Sequence, residues 1–373
     1  GGNYNTVIGD EAGTALTTGD NNVAIGFEAL MTEDAHGHNV AIGYRALKTQ
    51  NAGDNAANTA VGTDAGTAMT TGVVNTLIGA YAGDAMQTSS YCTAVGYAAL
   101  SGEDASNRST AIGYGALSAQ NVAGANADNT AVGYAAGTLI STGTNNTIMG
   151  SFAADALLDA DYNVAIGVSS LSTDRYGDQS VAIGYAALGL QNFATVTNSR
   201  NTAVGANAGY ATTTGTYNTF IGNLAGSSNT DTDFNVAVGA NALPADELGS
   251  CATAVGYGGT ATNSLNTAVG FEAGKDLTTG TGNVFIGGGA GDDVVDAHHN
   301  TVVGSAAMTA DAGDQNTVMG QSAMNLGTGE HNTVLGYYAG GQLSTGSRNT
   351  IIGHESGSNL FSNGLFQCTT HDD

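Results

Sequence analysis

Seven histidines, 32 carboxylates and three cysteines are the reactive groups of this 373-residue chain, and their spacing decides what chemistry is open to it. Only His36-Gly-His38 and His298-His299 have ligand-like spacing. Around a threefold axis a His-x-His could gather imidazoles for a transition metal. Both pairs fall in links between apolar segments, however, where a solvated loop is the better reading. The acidic pairs Glu33-Asp34, Glu103-Asp104, Asp292-Asp293 and Asp372-Asp373 offer oxygen ligands for Ca²⁺. None follows the EF-hand or the Gly-rich calcium β-roll pattern, and they read as solvated acidic surface. Glycoside hydrolysis needs two acids about 5–10 Å apart in a groove, whereas the acids here sit in variable links. No Ser-His-Asp or Cys-His set stands out. Cys92, Cys251 and Cys368 form an odd set at unrelated spacings, which fits neither a disulfide framework nor a zinc ribbon. Cys92 and Cys251 read as packed small residues. The expectation is a chain with no catalytic residue, no cofactor and no metal.

The charge balance narrows the partners. Seven Lys and Arg against 32 acidic residues leave a net charge of −25. That excludes electrostatic capture of nucleic acid and of anionic membrane surfaces. No segment approaches the roughly 18 apolar residues of a membrane span. The chain opens Gly1-Gly2-Asn3, which is expected of a protein whose natural start lies upstream. Charged residues at 10% and aromatics at 6% are thin for several globular cores, while 41% hydrophobic content argues against disorder.

A repeat resolves the conflict. A Thr/Val-x-aliphatic-Gly tetrapeptide recurs 21 times, its glycine running from Gly9 to Gly353, mostly 17 residues apart. Links are lengthened at 43–62, 113–133 and 184–205 and shortened at 256–270. Each of these leads into a segment such as Gly66–Gly72, Gly137–Gly143, Gly209–Gly215 or Gly274–Gly280, so a four-repeat unit is written over the basic one. Seventeen residues hold two short strands and two turns but not a strand and a helix. The expected fold is all-β: a parallel β-solenoid, or β-roll, of 21 short coils over residues 1–357, with insertions bulging from one place. Residues 358–373 leave the pattern, and Asn363-Gly364 between Leu and Phe signals a capping hairpin.

The columns of the repeat assign faces. The residue before the glycine is always Val, Ile, Met or Leu, and the residue three before is always Thr or Val. Two apart on a strand, they share a face, read here as the solenoid's interior. The residue between them is Ala in 12 copies and larger but apolar in the rest, as at Leu77, Ile148 and Phe220. A strand apolar on both sides is covered on both, so this middle column is expected to lie against another copy of the chain. Asn stands four before the glycine in 17 copies, suited to bonding along the axis or to holding turns. Ala stands three after it in 18, and the glycine itself suits a corner of positive φ. Aromatics after the glycine, including Tyr97, Tyr114 and Tyr134, read as corner packing rather than a sugar-stacking column. The variable links 48–57, 118–128 and 189–200 are the candidates for partner contact. Regular Thr on a flat face would suit ice binding, but the column is interrupted by Val and reads as interior.

Asn-Thr-Ala-Val-Gly (129–133, 201–205, 266–270) and Asn-Val-Ala-Ile-Gly (22–26, 39–43, 163–167) resemble the YadA-type head repeats of trimeric autotransporter adhesins. Similar repeats occur in phage tail fibres, often ahead of a self-cleaving C-terminal chaperone. The resemblance spans residues 3–357. It implies a left-handed roll assembled as a side-by-side homotrimer, and the 17-residue step is nearer the fibre type. An end at Thr369-Thr-His-Asp-Asp373 then suits a fibre whose chaperone has been removed. The function implied is the rod of an extracellular attachment fibre without catalysis, a virion tail fibre ahead of a bacterial adhesin head. It would bind a host-surface glycan or protein through its loops. A monomeric solenoid binding ice or polysaccharide on a flat face is the alternative, and it would require an exposed middle column.

Overall fold

A computed structural model describes residues 2–244, 250–259, 265–358 and 367–368. It is an all-β parallel solenoid of about 20 turns, with no helix among the described residues. The chain divides into two compact units, Gly1–Ser199 and Arg200–Asp373. In the first, three-residue strands from Thr6–Ile8 to Val181–Ile183 each pair in parallel with the strand one repeat away. Equivalent residues lie opposite one another, as in Thr93↔Thr110, Ala94↔Ala111 and Val95↔Ile112. The second unit repeats this from Thr202–Val204 to Thr350–Ile352. Gln367–Cys368 then pair in parallel with Ile351–Ile352. The rest of the expected capping hairpin lies outside the described residues.

Each repeat carries one strand of the main ladder, not the two expected. The return side of a coil is made of turns, because each coil places three residues in the left-handed region. In the coil of Gly96 these are Tyr91 (φ 62°), Ala98 (φ 51°) and Leu100 (φ 55°). A run of such residues cannot remain pleated. Gly96 itself has φ 140°, and a Cβ there would stand 2.3 Å from the carbonyl oxygen of Gly113 one coil on. The invariant glycine therefore answers both to its dihedral and to the approach of the next coil.

The two strand faces are assigned the other way round from the sequence expectation. From Ala24 to Ile351 the middle residue is the interior one, at most 2% exposed. The Thr/Val and aliphatic columns beside it point outward and are half-buried or exposed. The reason is geometric. A three-residue strand directs one side chain inward between two directed outward, and the inward one must meet the buried Ala three after the glycine, such as Ala29, Ala99 and Ala187.

The narrow interior is filled by exchange of volume between columns. In six coils with Ala on the strand, the position four after the glycine carries a buried leucine at positive φ: Leu30, Leu47, Leu100, Leu117, Leu171 and Leu188. Where that position is glycine, a large strand residue of the same or the following coil takes the space. A Cβ on Gly66 would lie 2.7 Å from Leu77 Cδ1, one on Gly137 2.9 Å from Ile148 Cδ1, and one on Gly226 2.2 Å from the Phe220 ring. Ala94→Leu is therefore expected to overpack against Leu100 and to cost about 1–3 kcal/mol. Adding Leu100→Gly, which reproduces the Leu77/Gly83 arrangement, should recover much of that loss in denaturant melts. A double variant less stable than either single one would contradict the exchange.

Asparagines close each coil onto the next. Those four residues before the glycine, from Asn22 to Asn349, are all buried. Asn146 Oδ1 accepts from the backbone N–H of Asn163 at 2.9 Å, while its Nδ2 donates to the carbonyl of Ala160 at 2.8 Å. The same pair of bonds recurs at Asn218 and Asn283. Each side chain satisfies a buried donor on the next strand and a buried acceptor in the following turn, groups the strand ladder leaves unmatched.

Candidate functional site

The interior contains a polar column absent from the sequence expectation. Seven residues after the glycine, the buried position is apolar in some coils, as at Met69, Met86, Ile140 and Leu157. In others it is Glu33, Gln50, Glu103, Gln120, Asp174 or Gln191, all buried. Glu33 and Glu103 are thus core carboxylates, which corrects their reading as solvated surface. Each acid is followed one coil later by a glutamine, and each glutamine precedes one of the lengthened links.

The Glu103 centre is fully bonded. Its Oε1 accepts from the N–H groups of Ala105 at 3.0 Å and Ser106 at 2.6 Å, and Oε2 accepts from the Ser106 hydroxyl. Gln120 Nε2 donates to Glu103 Oε2 at 2.8 Å and to Ser109 Oγ at 2.9 Å, while its Oε1 accepts from Asn129 Nδ2 at 2.9 Å. The Asp174 centre is built alike. Gln191 Nε2 donates to Asp174 Oδ2 and, at 3.0 Å, to Ser180 Oγ. Asp174 Oδ1 accepts from Gly177 N at 3.1 Å and Phe193 N at 3.2 Å. Serine replaces the ladder asparagine at 109 and 180, which makes room for the glutamine. These centres tie the start of a long link to the preceding coil. Beyond them the links are exposed at Gly53–Asn55, Ala123–Asn126 and Ala194–Val196, as expected of loops on a rigid scaffold.

The remaining candidates separate. Ligand atoms of Glu33, Asp34 and His36 come within 4.8 Å of one another, whereas His38 is exposed and approaches Asn21. His298 Nδ1 accepts from Thr281 N at 3.1 Å, and His299 is exposed. Cys92 is buried and its thiol is pushed up to about 11 by burial, which removes it as a nucleophile; Cys251 is exposed, not packed. The aromatic column is also outside the core. Tyr97, Tyr114 and Tyr134 are about half exposed and stack on one another with centroids 5.2 Å apart and planes within 11°. Their faces are spent on one another, so the column offers edges and hydroxyls rather than the open ring face a sugar would stack on.

No protein-family model matches the chain, and no curated protein matches it.

Burial raises Asp84, Asp155, Asp178 and Asp292 above the ordinary aspartate range. A carboxyl whose folded pKa exceeds its unfolded one opposes folding when ionised. The cost is full above the folded value and vanishes below the unfolded value near 3.8. The melting temperature is therefore expected to gain from these groups as pH falls through their raised folded values toward 3.8, and to be insensitive to them above those values. Asp84→Asn combined with Asp155→Asn should reduce that gain. Calorimetry at fixed ionic strength reads both, and a pH dependence unchanged in the double variant would contradict the account.

Proposed function

We propose that this protein is the rod of an extracellular homotrimeric attachment fibre, of the phage tail-fibre kind ahead of a bacterial adhesin head. It has no catalysis of its own and meets a host-surface glycan or protein through its lengthened links. The observation that carries the reading is the outward strand face. Each unit presents an unbroken flat strip of Thr/Val and Ile, Val, Met or Leu columns with no charged residue in it, although the chain as a whole is strongly acidic. Exposed residues in the strip include Ile78, Ile112 and Met149 in the first unit and Ile221, Ile286 and Met319 in the second. An apolar strip of this kind on an otherwise polar surface marks an interaction face. Chains with identical coil spacing can bury it against one another over their length. The resemblance to trimeric head and fibre repeats supports three copies, a left-handed roll and the extracellular setting.

A second reading draws on the outward position of the threonines, which removes the objection that they are interior. Six consecutive strands begin with Thr, at 59, 76, 93, 110, 130 and 147. A monomer could use that flat face for ice or polysaccharide, and it no longer requires an exposed middle column.

Methionine oxidation separates the two. Met149 and Met319 stand on the strip and are each 48% exposed in the single chain, whereas Met69 and Met86 are buried. Dilute peroxide attacks exposed thioethers. In the native protein Met149 and Met319 are expected to resist as well as Met69 and Met86 do, by peptide mass spectrometry. Rapid selective oxidation of Met149 and Met319 would contradict the covered face and favour the monomeric reading.

A further inference from the structure

We infer that Glu33, Asp34 and His36 form a binding site for a divalent transition cation of the Zn²⁺ class, independent of how the chain assembles. The three sister centres isolate what is particular here. At Glu103 and Asp174 both carboxylate oxygens are bonded, and the residue three positions on is Ser106 or Gly177. In the first centre that residue is His36. Glu33 is wholly buried, its Oε1 accepts from His36 N at 3.1 Å, and its Oε2 is buried with no hydrogen-bond partner. An unmatched buried carboxylate oxygen is costly unless a donor or a cation meets it.

Neither Lys48 nor Arg45 is free for the task. Lys48, on the next coil, holds Glu28 at 2.5 Å, and Arg45 holds Asp64 at 2.8 Å. His36 Nδ1 approaches Glu33 Oε1 at 3.3 Å without hydrogen-bond geometry, leaving a ring nitrogen beside the carboxylate. The ligand atoms of the three residues lie within 4.8 Å of one another. A tetrahedral site with bonds near 2.0–2.1 Å places its ligands about 3.3 Å apart, so closure requires about an ångström of movement in side chains on one short loop. One imidazole nitrogen and two carboxylates suit Zn²⁺ and its neighbours, and the imidazole disfavours Ca²⁺. The bound cation would close the 33–36 turn on itself and supply Glu33 with the countercharge that Gln120 and Gln191 replace by hydrogen bonds in the sister centres. Here Gln50 Nε2 and Asn39 Nδ2 are left without partners.

The test uses the native chain, metal-stripped, with ZnCl₂ or CaCl₂ as the only addition. Zn²⁺ at micromolar concentration is expected to raise the melting temperature and to bind one ion per chain by titration calorimetry, and Ca²⁺ to do neither. Co²⁺ should give the visible absorption of a four-coordinate site. His36→Ala and the surface variant Asp34→Asn should each weaken Zn²⁺ by about tenfold or more, while His298→Ala should leave it unchanged. Asp34→Asn keeps the test readable if Glu33→Gln fails to fold. Absence of Zn²⁺ binding would overturn the inference and mean that Gln50 closes onto Glu33 as Gln120 does onto Glu103. Binding that survives both His36→Ala and Asp34→Asn, or an equal effect of Ca²⁺, would overturn it too.

Discussion

Everything in this fold depends on the close approach of identical coils. Successive strands exchange backbone hydrogen bonds in register, and the glycine of one coil meets the glycine carbonyl of the next at a distance that leaves no room for a Cβ. Once that spacing is imposed, each column must hold side chains able to sit on copies of themselves. Asparagine does so by bonding one coil up and one turn on, alanine by being small, and the outward aromatics by stacking face to face. Bulky leucines are held at positive φ, a conformation costing about 1–2 kcal/mol per residue, because the same stacking buries them completely.

The stacking also explains the longer period. A coil can fill the interior with leucine four residues after the glycine, or with glycine there and a larger residue on the strand or three positions further along. Neighbouring coils must agree, since Gly66 is kept small by Leu77 of the following coil as well as by Leu47 of the preceding one. Coils bearing leucine leave the next buried position to a carboxylate and then a glutamine, and at Glu103/Gln120 and Asp174/Gln191 mutual bonds make the pair tolerable in the core. The lengthened links emerge directly after those glutamines. The internal polar centres and the external loops are thus two sides of one four-coil device.

The legible parts of this architecture were those that every coil must obey. The glycine corner, the strand before it, the parallel register and the small alanine after it recur as single-residue columns, because the spacing admits little else. The direction of the strand was not legible. Both of its faces are apolar, and only the position of Ala29 and its equivalents inside the roll shows that Ala24 points in and Val23 and Ile25 point out. The buried acids were missed because Glu33 and Glu103 look like surface residues by type. Their column would have given a signal, since the same place holds Met69, Met86, Ile140 and Leu157 in other coils.

The outward face is where this fold turns toward the proposed function, in which a strip of aliphatic and threonine side chains on a chain of net charge −25 is covered by further copies. Sedimentation equilibrium of the native protein tests that most directly. The account predicts a particle of about three times 36.9 kDa. A single species at 36.9 kDa across the concentration range would contradict it.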